Sequence, residues 1–294
     1  MGKVDTASRW GNVNDEAALE EPPEHLRYRR ALHFRAAMRE LWADRVVVLS
    51  LTERELKARY SQTVLGFAWA LLAPVTLMIV FSVFLRRVTS IDTEGVAYPI
   101  FSYVGLLPWT FFQGAVSTGG TSLISNTALL NKVYAPREVF PLASIATRLV
   151  DSACATLALF ALFAIYTQAP AATSYWAIPL LLILLAFTTA VTLFVSAATV
   201  YLRDLRHALP LILQLGLFVS PIAYGVENVA ARWRTLYVGL NPIAAVIDGL
   251  RRSVLYGDAP NALYTSIAAG SSAVLLVGAY VAFKQMETGF ADVA

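Results

Sequence analysis

The sequence predicts an all-α, polytopic membrane protein, and three observations carry that reading. Hydrophobic residues fill 57% of the 294 positions and charged residues only 15%, where soluble domains carry about 25% charged residues. Several apolar runs reach the ~20 residues that a helix needs to cross roughly 30 Å of hydrocarbon. The ten-residue alternation of a membrane β-barrel is absent.

Residues 1–24 mix Gly, Asn, Asp and Glu with the paired Pro22 and Pro23, too polar to pack and expected to form a tail. Residues 1–50 make up this tail and the start of a basic helix, and residues 51–294 form the membrane domain. From His25 to Arg59, Phe34, Met38, Leu41 and Trp42 recur at helical spacing among nine Lys and Arg residues. That is the pattern of an amphipathic helix lying among lipid headgroups. No compact apolar core with a small-residue cleavage site precedes it, so the first span is expected to act as the insertion signal.

Six spans are expected, at about 67–85, 100–123, 142–165, 178–200, 209–224 and 264–283. The first contains Pro74, which removes one helix bond. The second is interrupted by Gly105 and Pro108 and ends in a run rich in Gly, Ser and Thr, residues that let helices approach closely in lipid. Gly225 to Asn261 is too polar to cross and predicts one or two interfacial or re-entrant helices before the last span.

An even number of spans puts both termini on one side. Basic residues cluster before the first span, at Lys132 and Arg137 in the second loop, and at Arg203 and Arg206 in the fourth. By the positive-inside rule those segments and both termini are cytosolic, although Arg232, Arg234, Arg251 and Arg252 fall in the long fifth loop. Ser125 to Pro141, SNTALLNKVYAPREVFP, is then a cytosolic break between two apolar segments.

Catalytic constellations are missing. His25, His33 and His207 show no metal-ligand spacing, and there is no Gly-x-Ser-x-Gly. No Gly-x4-Gly-Lys-Ser/Thr phosphate loop occurs, so ATP, if used, must be bound by a partner chain. Cys154 is the single cysteine and reads as a small buried hydrophobe. Arg148 and Asp151, spaced i, i+3 in the third span, read as a structural pair on one helix face. Nothing else acidic lies at mid-membrane depth, which argues against ion-coupled transport. Trp69, Tyr103, Trp109, Phe112, Phe218 and Tyr224 supply rings in the spans; most such rings anchor at interfaces, and a minority can line a passage for a sugar polymer.

The order of motifs resembles the type-2 ABC exporter permeases for polysaccharides, the Wzm/TagG type. Arg54 to Tyr60 with Gly66 and Trp69 is similar to the family's segment ahead of the first span. Gly105, Leu106, Trp109 and Phe111 resemble its second-span motif. Ser122, Asn126, Lys132, Val133, Tyr134, Pro136, Arg137, Glu138 and Pro141 match its most recognisable stretch, and Arg203, Asp204, Pro221, Asn241, Pro242 and Arg251 follow in the family's order. Glu55 and Ala135 depart from the family's usual Asp and Phe.

The resemblance implies a bacterial inner-membrane homodimer paired with two copies of a cytosolic ATPase subunit, which hold ATP and Mg, and a lipid-pyrophosphate-linked glycan moved outward. No cofactor in this chain and no nucleic-acid partner are expected. Coupling to the ATPase falls to Asn126, Lys132, Val133, Tyr134, Pro136, Arg137 and Glu138, and headgroup entry to Arg54, Lys57 and Arg59: the two guanidinium forks and the Lys57 ammonium suit phosphate oxygens. O-antigen, teichoic acid and cell-wall galactan all fit as substrate class. The alternatives are a type-2 exporter of drugs or lipids and a membrane-embedded glycolipid transferase, for which only Asp248 with Arg251 approaches an acid and base pair.

Overall fold

The computed structural model describes residues 42–61, 66–85, 95–130 and 136–287, with residues 39, 63 and 93. Every regular element among them is helical, and no strand occurs among the described residues. Phe34, Met38 and Leu41 of the expected interface helix lie outside the described residues. The later part of that basic stretch forms a helix, α1 (Arg45–Tyr60).

The helix α2 (Ala68–Val80) carries Pro74 and runs into a wider π-type turn over Phe81–Leu85. The next, α3 (Tyr98–Gly119), has Pro99 in its first turn, where the missing N–H costs no helix bond, and is buried along most of its length. Two single turns follow, α4 (Ser122–Ser125) and α5 (Thr127–Leu130). Then come α6 (Val139–Ile165), a 3₁₀ turn over Ala172–Trp176, α7 (Ala177–Tyr201) and α8 (Leu205–Val219). The polar stretch after α8 forms two helices, α9 (Ala231–Leu240) and α10 (Pro242–Arg251), before α11 (Ala262–Glu287).

Three stretches are long and apolar enough to cross a membrane: Val139–Ile165, Ala172–Tyr201 and Ala262–Glu287. Ala68–Phe84 and Leu205–Val219 are shorter apolar helices. The helix expected over 209–224 ends earlier, at Val219, because Ser220 precedes Pro221 and turns extended, with ψ 146°.

The centre of the bundle is α3, which packs against α2, α6, α7, α8 and α10. All ten residues of α10 are buried, enclosed by α3, α7, α9 and α11. Because α3 starts beside α10 and ends at the break, these two features mark opposite ends of the bundle. A second apolar cluster, around Leu123, Phe140, Leu193, Tyr280 and Phe283, closes the break end.

Candidate functional site

The break is held at both ends while its middle, Lys132, Val133, Tyr134 and Ala135, lies outside the described residues. At its start, Arg54 of α1 donates to the Asn126 side-chain oxygen at 2.6 Å, and the Asn126 amide donates to the Ser122 carbonyl at 2.9 Å. At its end, Pro136 and Arg137 are part-exposed, whereas Glu138 is 1% exposed. The Glu138 carboxylate receives the Lys284 ammonium at 2.8 Å, and Arg137 donates to the Glu287 carbonyl at 3.0 Å. Burial raises the Glu138 carboxyl above its ordinary range while Lys284 opposes the shift. Glu138 therefore faces α11 inside the protein.

A polar seam docks α1 along the first half of α6. Thr52 donates to the Ala143 carbonyl at 3.4 Å, and Ser144 and Thr147 donate to the Glu55 carboxylate at 3.1 and 3.2 Å. Arg59 and Tyr60 both donate to Asp151. The contacts advance together along both helices at three- and four-residue steps, so matching faces meet. Burial, then the bond to Asp151, pushes the Tyr60 phenol up to about 12.

Arg148 pairs with Asp151 at 3.4 Å, as the spacing predicted, and its Nε also donates to Thr118 at 3.4 Å. The sequence did not reveal that Arg59 shares the same carboxylate, because that contact joins residues 92 positions apart. Of the three headgroup candidates, Arg59 is thus occupied by Asp151. Lys57 pairs with Glu53 on the open face of α1, both side chains being largely exposed, and Arg54 reaches Asn126.

The six rings divide sharply. Tyr103 is fully buried and donates to the Ala155 carbonyl at 2.8 Å. Trp109 and Phe112 are also core residues, Phe112 stacking on Phe187 with centroids 5.5 Å apart. Helix neighbours cover the faces of these three rings within the single chain. Trp69 and Phe218 stay exposed, and Tyr224 donates to the Val219 carbonyl at 2.8 Å. Cys154 is half-buried on α6 rather than a core residue.

At the opposite end, Asp248 pairs with Arg252 at 2.9 Å, and Arg252 also meets Glu227. Arg251 instead donates to backbone carbonyls of Phe101, Pro221, Ile222 and Tyr224. Asp248 and Arg251 do not face one another, so the acid and base pair that a transferase would use is not formed. No group of His, Cys, Asp and Glu suited to a metal ion occurs among the described residues.

Residues 46–255 match the family described as ABC-2 type transporter. The chain belongs to that ABC-2 transporter family. Similar relatives include the O-antigen export system permease protein RfbA of Myxococcus xanthus, 32% identical over 260 residues, covering 87% of this chain and 98% of the relative. A Klebsiella pneumoniae protein of the same description is 25% identical over 248 residues, covering 84% and 94%. The polysialic acid transport protein KpsM of Escherichia coli is 24% identical over 221 residues, covering 73% and 83%. In this ABC-2 protein the family match spans α1 to α10, so it takes in the α1–α6 seam, the break and the buried Arg251.

Proposed function

We propose that this chain is the membrane subunit of an ATP-driven exporter that carries a lipid-pyrophosphate-linked polysaccharide from the cytosol across the bacterial inner membrane. The observation that carries the reading is the match to polysaccharide export permeases along nearly the whole of their length. A partner ATPase binds ATP and Mg, since this sequence has no phosphate loop.

In this reading α2, α3, α6, α7, α8 and α11 are the six spans, and both termini and the break are cytosolic, as the basic residues favour. Two copies form the membrane domain and engage two ATPase subunits. Asn126, Lys132, Val133, Tyr134, Pro136 and Arg137 present the break to the ATPase, and Glu138 anchors it from within. Arg54 and Lys57 meet the pyrophosphate at headgroup level. Trp69 and Phe218 face lipid, the second copy or the passage.

Depletion of the protein, followed by extraction of lipid-linked glycans, tests the proposal. A glycan that accumulates on the cytosolic face identifies the cargo class. If every lipid-linked glycan keeps its normal level and sidedness, the chain is not a polysaccharide exporter.

A further inference from the structure

The end of the break is tied to the last turn of α11 by a knot of directional contacts. Lys284 bridges the buried Glu138 carboxylate at 2.8 Å and Glu287 at 3.0 Å, and Tyr280 donates to Glu138 at 3.5 Å. The last carbonyls of a helix have no partner within it. Here Tyr201, at the end of α7, donates to the Met286 carbonyl at 2.6 Å, and Arg137 donates to that of Glu287 at 3.0 Å. The last turn of α11 is thus fixed to both α7 and the break, with Phe140, Tyr280 and Phe283 packed beneath.

A buried ion pair is weak evidence for stability, because desolvation offsets most of the attraction, and a well-packed apolar pair often does as well. What it supplies is a fixed relative orientation. The start of the break has no such joint: Arg54 meets Asn126 through one exposed hydrogen bond.

We propose that Glu138 and Lys284 form a rigid joint through which displacement of the break is passed to α11, which makes them positioning residues for transport. The inference rests on the reading that the break receives the ATPase. A pull on the break moves α6 and α11 as one body, and α7 follows through Tyr201. The seam of Glu55 and Asp151 contacts carries α1 along with α6.

The test uses the full complex with its ATPase, reconstituted in liposomes with lipid-linked glycan, and reads glycan exported per ATP hydrolysed. The double variant E138Q/K284M, which removes both charges but keeps the volumes, is expected to lower that ratio at least tenfold. The swapped variant E138K/K284E is expected to restore it to within about threefold of wild type. A merely structural pair would reduce the yield of complex and leave the ratio unchanged, and an unchanged ratio in E138Q/K284M overturns the proposal. If E138Q/K284M does not assemble, the swapped variant decides: an assembled swap whose ratio stays tenfold down overturns the joint. A wild-type complex that hydrolyses ATP and exports no glycan would instead remove the functional reading on which the joint depends.

Discussion

Arg251 holds its guanidinium 3.6 Å from the centroid of the Phe101 ring while donating to the carbonyls of Pro221, Ile222 and Tyr224. One planar fork from α10 thereby satisfies the turn that follows α8 and rests on α3. The turn has no regular structure of its own, so these donors replace the ladder bonds that its backbone lacks.

Replacing Arg251 by Met should therefore cost more than a surface change. Each buried carbonyl left without its donor costs about 1–3 kcal/mol. Lys in its place should restore little, since a single ammonium cannot reproduce the fork. Thermal unfolding of the purified protein in detergent checks this: R251M and R251K should both melt well below wild type. A melt within one degree of wild type would mean that water reaches the turn.

Asp151 is the carboxylate that both Arg59 and Arg148 use, so D151N should release α1 from α6 rather than unfold the bundle. Hydrogen bonds to charged groups contribute about 1.5–3 kcal/mol, and the part-exposure of Arg59 places this one toward the lower end. Limited trypsin digestion gives the readout, because Arg54, Lys57 and Arg59 all lie on α1. Faster cleavage in D151N than in wild type is expected; equal rates would show that the Glu55 seam alone holds the helix.

The break offers a direct test of its assigned work. Tyr134→Ala and Arg137→Ala should leave membrane insertion intact while lowering export by tenfold or more, measured as surface glycan against the amount of protein in the membrane. Arg137→Ala also removes the donor to the Glu287 carbonyl. Loss of the protein from the membrane in both variants would make the segment a connector only.

How much of this was legible in the sequence depends on how far apart the contacting residues lie. Hydropathy found α6, α7 and α11 within a few residues, since twenty-odd apolar positions leave little choice in lipid. Arg148 with Asp151 was legible because both sit on one helix face, three positions apart. Arg59 with Asp151 and Glu138 with Lys284 were not, because they join distant parts of the chain and each partner alone looks like an ordinary loop or helix-end charge. The aromatic residues were not legible for the related reason that a Trp or Tyr in a span reads alike whether it faces lipid, a passage or the core. Tyr103 and Trp109 turn inward because α3 is flanked by α2, α6, α7, α8 and α10, a property of the assembled bundle rather than of the segment.

The packing of α8 yields the last expectation. This helix exposes Leu211, Ile212, Leu215 and Phe218, and it touches the bundle mainly through α3 and α7. Gly216 is what lets it approach: a β-carbon there would lie 2.7 Å from the Trp109 ring, against an indole that α3 holds buried at 3% exposure. Since Trp109 has no free space to move into, Gly216→Val must push α8 outward, at about 1–3 kcal/mol for overpacking. Gly270 on α11 makes the control, having no atom within 4 Å of its would-be β-carbon. Gly270→Val should change stability by no more than about 0.5 kcal/mol in either direction, as surface substitutions do. Thermal melts of the two variants in the same detergent separate the cases, with only Gly216→Val shifted. A shift in Gly270→Val of equal size would mean that the open face of α11 is covered by a second copy of the chain.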